Sequence, residues 1–323
     1  MKTTMFVLLM TVWLALGNVP AGAQSYPTKP IRMIVGYGPG GGTDTAARLI
    51  AGSLQSALGQ PVVVENRPGA NGLIGMDMLV KASPDGYTIS MGAGGPLTIN
   101  PLIMKNVTFD PIKDIASVGM VCANVMGLIV HPSFPANSVQ ELIALLKAKP
   151  DGHTYASSSI GSPHHVTMEL FKSLTGTQVI HVPYKGSADV VKDMIGGQVL
   201  LAFETLSVAL PQINAGRLRL IAVTSAKRSQ LAPNAPTVAE SGLPGFQSFS
   251  WYGAIAPAGT PTAIIDKLNG EIRRALTTPE VRQKLFELGA EPLGGTPEDM
   301  AAFIRAEIAK LGRVIKEAKI TLD

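Results

Sequence analysis

Two small-residue loops could do chemistry in this chain, and the first is rich in glycine. Gly36-Tyr37-Gly38-Pro39-Gly40-Gly41 fits G-x-G-x-x-G, follows an apolar stretch and opens a helical pattern, with Glu65 where a ribose-binding acid would be expected. Three features oppose a dinucleotide cofactor. Asp44 puts a negative charge where a pyrophosphate would sit, and Pro39 removes a backbone N–H from the loop that should donate it. The exported compartment, argued below, also offers little nicotinamide. The physics of the loop survives the loss of that label. Gly40, Gly41 and Gly42 carry no Cβ, so their backbone can approach a ligand closely and take positive φ. Their N–H groups, with those of Thr43 and Asp44, point at whatever sits before the helix, where the macrodipole favours an anion. The plainer alternative is a turn that only connects strand to helix.

The second loop is Ser157-Ser158-Ser159-Ile160-Gly161-Ser162, followed by Pro163, His164 and His165. Two such loops facing each other would line a site with hydroxyls and backbone amides, suited to carboxylate oxygens held directly or through ordered water. Catalytic readings fit less well. Adjacent histidines on a helix point apart, and no His-x-x-x-His or cysteine partner supports a metal. Helix-end packing, or a hydrogen bond to the Ser-rich loop, is the better expectation for them. No Gly-x-Ser-x-Gly run marks a serine hydrolase, and Ser158 and His164, six residues apart across a proline, are expected to give no triad geometry. Glu204 lacks an obvious acid–base partner, and no phosphate-binding G-x-x-x-x-G-K-[ST] occurs. Binding without catalysis, cofactor or metal is the expectation.

The elements that must position these loops alternate. Residues 31–35, 62–64, 87–91, 125–130, 154–156, 179–182, 199–203 and 218–223 read as short buried strands. Helical spacing runs from about residue 46 to Leu58, capped by Thr43 or Asp44 and ended by Gly59, and again near 73–82. Ser138 with Glu141 forms a capping box, Pro163 starts a helix, and residues 188–195 continue the pattern. The end is helical over 261–277, 279–288 and 297–318, the last opening on Thr296, Pro297 and Asp299. Such alternation argues for α/β sheets with helices on both faces, and the length makes two sheets more plausible than one.

The N-terminus points to export. Lys2 precedes an apolar run at residues 5–16 that is too short to span a bilayer, and Ala21-Gly22-Ala23 supplies the small residues of a cleavage site. Cleavage after Ala23 is expected, with residues 1–23 as the signal peptide. Of 27 basic residues 26 then remain against 23 acidic. That slight excess, with no basic run, does not imply nucleic acid, and it would help an anionic solute approach. Cys122 is the single cysteine, so no internal disulfide can form, and a buried inert thiol is expected.

An ordered set of motifs runs through the whole mature chain. It includes Tyr26-Pro27-Thr28-Lys29-Pro30-Ile31-Arg32, Pro39-Gly40-Gly41-Gly42-Thr43-Asp44, Glu65-Asn66-Arg67-Pro68-Gly69-Ala70, Pro84-Asp85-Gly86-Tyr87-Thr88, His181-Val182-Pro183-Tyr184-Lys185-Gly186 and Ala256-Pro257-Ala258-Gly259-Thr260-Pro261. Each is weak alone, but together they resemble the periplasmic receptors of tripartite tricarboxylate transporters, the Bug family. The resemblance implies a type II periplasmic-binding-protein fold of two α/β domains, with a ligand cleft between them and crossover strands as hinge. On that analogy domain 1 takes 24–123 and 251–323, and domain 2 takes 124–250, with residues 121–130 and 250–256 crossing. It also implies a monomeric periplasmic receptor for a small carboxylated solute, closing around it for a membrane transporter or a sensor protein. The ligand would be gripped by Tyr37, Pro39, Gly40, Gly41, Gly42, Thr43 and Asp44 from one side. From the other side would come Ser157, Ser158, Ser159, Gly161, Ser162 and His164, with Tyr184 and Glu204 near the cleft. Two departures stand out: Tyr37 occupies a position more often Phe, and Phe203-Glu204-Thr205 replaces the frequent Phe-Asp-Asn. The longer Glu204 would reshape the pocket.

Overall fold

Apolar β-branched runs separated by glycine and proline turns build the sheet, and the amphipathic segments between them cover its faces. The computed structural model describes residues 26–322, so the expected leader lies outside the described residues. The chain begins with β1 (Ile31–Val35), α1 (Gly42–Leu58), β2 (Val62–Asn66), α2 (Leu73–Val80) and β3 (Thr88–Ala93). A π-turn at Gly95–Ile99 leads into the short α3 (Asn100–Ile103), and β4 (Ile115–Val130) follows. Next come α4 (Val139–Ala148), β5 (Thr154–Ser157), α5 (Pro163–Thr175), β6 (Ile180–Pro183), α6 (Ser187–Ile195), β7 (Leu201–Thr205), α7 (Leu206–Asn214) and β8 (Arg219–Val223). Then β9 (Phe249–Pro257) is followed by α8 (Thr262–Thr277), α9 (Pro279–Glu287), β10 (Ala290–Gly294) and α10 (Pro297–Glu317).

The strands lie in the order β2-β1-β3-β9-β4-β7-β5-β6, with β8 and β10 also on β4. β2, β1 and β3 are parallel, as are β6, β5 and β7, so each half resembles one α/β sheet. Two antiparallel strands join the halves. The first part of β4 pairs with β9, from Ile115 opposite Pro257 to Val125 opposite Phe249. From Met126 to Val130 the same strand pairs with β7 and β8 instead. Each half has its own core: Ile31, Met33, Ile50, Leu54 and Leu268 in one, Leu128, Leu142, Phe171 and Phe203 in the other. The C-terminal α10 spans the junction, where Glu317 accepts from Ser173 Oγ of α5 at 2.8 Å.

Local rules explain most element ends. Gly59 sits at φ 69° and closes α1, and Thr296 with Asp299 forms a reciprocal capping box on α10. The box expected on α4 is only half formed. Ser138 Oγ accepts from Glu141 N–H, but the Glu141 carboxylate takes the N–H of Asn137 rather than that of Ser138. Thr43 and Asp44 do not cap α1. Gly41 occupies that position with no side-chain cap, because Asp44 turns its carboxylate back to the loop. Pattern reading also missed α3, α7, β10 and the first half of β4. Pro211 lies inside α7 and Pro292 inside β10, both ordinarily breakers, and β4 is buried almost throughout, which removes the alternation that marks a strand.

Candidate functional site

The glycine-rich loop leaves the C-terminal end of β1 and enters α1. Of its three consecutive glycines only Gly40 needs the left-handed region, at φ 81°. Gly41 is extended, and its carbonyl accepts the first intrahelical bond, from Thr45 N–H at 2.9 Å. The N–H groups of Gly42, Thr43 and Asp44 lie ahead of that bond, at the positive end of a 17-residue helix. Asp44 does not oppose an anion there, as its charge alone suggested. Its carboxylate, 2% exposed, accepts from Gly40 N–H at 2.8 Å, Arg48 Nε at 3.0 Å and Asn66 Nδ2 at 2.8 Å. Burial alone would raise its pKa, and the hydrogen bonds from Arg48, Gly40 and Asn66 outweigh that and hold it below the usual carboxylate range. Asn66 also donates to the Tyr37 carbonyl at 3.0 Å, so the loop is pinned at both ends. Pro39 sits exposed at its tip.

Tyr37 donates its hydroxyl to the Asn71 carbonyl at 3.2 Å, and burial keeps the phenol protonated. Its contribution is therefore to bind loop to loop. Sequence reasoning missed Tyr252 on β9. Burial raises its pKa, so the phenol stays protonated beside the start of α1. A Cβ placed on Gly42 would lie 2.6 Å from Tyr252 Oη, so Gly42 is the position where a glycine is needed for close approach. The available signal was the alternation in β9: Trp251 is buried in one face, which turns Tyr252 to the other.

The Ser-rich loop leaves β5 in the other half and enters α5. Ser157 is fully buried, and its hydroxyl donates to the Ser159 carbonyl at 2.9 Å and meets His181 Nε2 at 2.7 Å. Gly161, at φ 70°, donates its N–H to His165 Nδ1 at 3.0 Å, and a Cβ on it would strike the Ile103 side chain of α3. Ser162 caps α5 by accepting from His165 N–H. His165 stacks on His181 at 3.9 Å between ring centroids. Burial, then the neighbouring His181 and Lys172, push its pKa down to about 3, so it stays a neutral acceptor. Tyr184 donates its N–H to the Ser157 carbonyl and its hydroxyl to Asp193, and so supports the loop from behind.

Ser158 and His164 meet through the kind of hydrogen bond to the Ser-rich loop that was expected of the histidines, and without the geometry of a triad. The turn at Gly161 folds the loop back, placing Ser158 Oγ 2.6 Å from His164 Nδ1. His164 Nε2 in turn lies 3.1 Å from Glu204 Oε1 and 3.0 Å from Thr205 Oγ1. Glu204 therefore has the partner that sequence reading could not find. Its Oε1 also accepts from Ser187 Oγ at 2.8 Å and Thr205 N–H at 2.7 Å. Burial would raise the Glu204 pKa, and His164 with these donors outweighs burial and holds it low. The chain runs in the opposite sense to a hydrolase triad, with serine on Nδ1 and carboxylate on Nε2. These groups collect at the C-terminal ends of β5 and β7, the edge where open parallel sheets receive ligands.

Among the described residues no hydrogen bond joins the two loops directly. Residues 95–103 lie between them: Asn100 Nδ2 donates to the same Asn71 carbonyl that Tyr37 uses, and Ile103 packs on Gly161. Glu65 is not placed for a ribose. Arg32 holds it at 2.8 Å and Arg67 at 3.2 Å, which lowers its pKa to about 2. Cys122 is buried in β4, and burial pushes its thiol up to about 12.

Comparison with known proteins places this architecture. The chain matches the tripartite tricarboxylate transporter family receptor, TctC, over residues 46–320. It is 37% identical to Protein BugT of Bordetella pertussis over 320 residues, 98% of each chain. It is similar to the solved structure of R. palustris Rpa4515 with adipate, at 39% identity and TM-score 0.78, covering 92% of this chain and 99% of that one. It is also similar to MatC from Rhodopseudomonas palustris with bound malate, at 29% identity and TM-score 0.74, covering 90% and 100%. These relatives share the two-domain periplasmic-binding fold, and among the described residues no helix is long and apolar enough to cross a membrane. The matched length, the fold and the ordered motifs together show that the chain belongs to the tripartite tricarboxylate transporter receptors, the Bug family of periplasmic solute-binding proteins.

Proposed function

We propose that the protein captures a small carboxylated solute between the glycine-rich and Ser-rich loops, closes its two domains on it, and delivers it to a tripartite tricarboxylate-type membrane transporter. The observation that carries this reading is the uncapped start of α1. Gly42, Thr43 and Asp44 offer N–H groups ahead of the first intrahelical bond, while the Asp44 carboxylate is held by Gly40 N–H and Asn66 and paired with Arg48. The relatives with adipate and with malate support the ligand class. The change of β4 partners between Val125 and Met126, and the start of β9 at Phe249, support domains of 24–123 with 251–323 and of 124–250. A leader cleaved after Ala23 accounts for export. The ligand stabilises the closed form by its differential affinity, and the transporter reads that shape.

No turnover is part of this reading, and the Ser158–His164–Glu204 chain serves to hold the Ser-rich loop. The test is titration of the purified mature protein with mono-, di- and tricarboxylates and neutral analogues, followed by Trp251 fluorescence. Trp251 packs against Phe303 beside Gly94, and after leader removal it is the only tryptophan. Saturable binding of a carboxylate, recovered unaltered after prolonged incubation, supports a receptor. Binding confined to neutral compounds, or conversion of the ligand, overturns it.

A further inference from the structure

Residues 94–103 reach the supports of both ligand loops, although the loops stand in different halves of the molecule. Asn100 Nδ2 donates at 3.0 Å to the Asn71 carbonyl, which also takes the Tyr37 hydroxyl at the root of the glycine-rich loop. The segment meets Tyr37 from a second side, where a Cβ on Gly95 would lie 3.5 Å from its Oη. Ile103 Cδ1 lies against Gly161, the left-handed residue that folds the Ser-rich loop back on itself. Asn100 and Ile103 are three residues apart on α3, so one turn of helix joins the support of one loop to that of the other.

The segment is not free to shift alone. Leu97, Thr98, Ile99, Asn100 and Ile103 are each at most 4% exposed. Gly94 lies beneath the Trp251 indole, where a Cβ would come within 2.6 Å of Nε1, and Leu322 N–H donates to the Ile103 carbonyl at 2.9 Å. It opens on a π-turn, a rare wide turn that recurs at functional sites. Close-packed interiors compress little, so a displacement at one end is passed to the other. We infer that residues 94–103 form a strut that sets the geometry of both ligand loops, with Asn100 and Ile103 as positioning residues acting through Tyr37 and Gly161. This rests on the proposed receptor function and adds a third element to its two-loop grip.

The experiment uses the mature protein with Ile103→Val, which removes only Cδ1, with Asn100→Ala, and with both. Leu142→Ala, a core truncation in α4, is the control. Amide exchange of the unliganded proteins, read by mass spectrometry, should quicken at residues 36–44 in Ile103→Val and at residues 157–162 in Asn100→Ala. Each is the loop whose support the altered side chain does not touch. Leu142→Ala should quicken neither loop relative to the rest of the chain. Affinity for the tightest-binding carboxylate, by calorimetry, should fall about 2- to 30-fold in each single variant and stay near wild type in Leu142→Ala. The double variant should lose little more than the worse single, because either break uncouples the same strut. Exchange that quickens only at the adjoining loop, additive affinity losses, or an equal loss in Leu142→Ala overturns the strut. Absence of carboxylate binding by the wild-type protein overturns the receptor reading instead, and amide exchange then decides the strut by itself. Ile103→Val alone decides it, by exchange at residues 36–44, if Asn100→Ala does not fold.

Discussion

Replacing Gly42 by alanine should damage both the fold and the ligand site, and removing one oxygen elsewhere should repair it. The added Cβ would lie 2.6 Å from Tyr252 Oη, closer than two such atoms can stay, while the nearest ring carbons of Tyr252 are 3.4 Å away. Overpacking of this kind costs roughly 1–3 kcal/mol, of which the helix preference of alanine over glycine returns about 0.5–1 kcal/mol. The Tyr252 backbone is fixed by β9 pairing with β3 and β4, so the strain should move the first turn of α1, where Gly42, Thr43 and Asp44 present their N–H groups. Tyr252→Phe removes the oxygen that the new methyl would strike. In the double variant the methyl meets only ring carbon at ordinary contact distance. A urea-denaturation cycle should therefore show a coupling of about 1 kcal/mol or more, with the double variant better than the sum of the singles. The affinity for a carboxylate should fall in Gly42→Ala and recover in part in the double variant. Additivity to within about 0.5 kcal/mol would refute the contact and with it the reason for a glycine there.

Three further outcomes follow from the same geometry. Asp44→Ala leaves the donors on Gly40 and Asn66 unmatched, so stability should fall by about 1–3 kcal/mol and carboxylate affinity should fall with it, measured by denaturation and calorimetry. His165 is held near pKa 3 against an ordinary 6.5, so the fold favours its neutral form. Its contribution is complete above about pH 6.5 and is lost as pH falls toward 3, and His165→Asn, which keeps an acceptor for Gly161 N–H, should flatten the urea midpoint over that window. An unchanged slope would remove His165 as the cause. The Cys122 thiol should resist thiol reagents in the native protein and react only on unfolding, a result read directly by absorbance with a chromogenic disulfide.

Local rules made much of the scaffold legible. Residues 31–35 are a strand at the bounds expected, and Pro163 and Thr296 start helices where their chemistry requires. The hinge was harder, because β4 passes through both halves buried on every side and carries no periodic signal. The site was legible as two loops but not as a set of contacts. Asp44 reads as a charge facing the ligand until Asn66 and Arg48 are brought beside it. Glu204 reads as isolated until the turn at Gly161 folds His164 onto it. Tyr252 and Gly42 are far apart in sequence, and only the sheet brings them together.

The most direct measurement is a crystal structure of the mature protein with the carboxylate that binds tightest. The expected density places a carboxylate within hydrogen-bond distance, directly or through one water, of the N–H groups of Gly42, Thr43 and Asp44, with the Ser-rich loop closing from the opposite domain. A ligand seated elsewhere, for example in the surface hollow lined by Arg48, Ser53, Glu271 and Arg274, or one held at the loops without any anionic group, would contradict the two-loop grip.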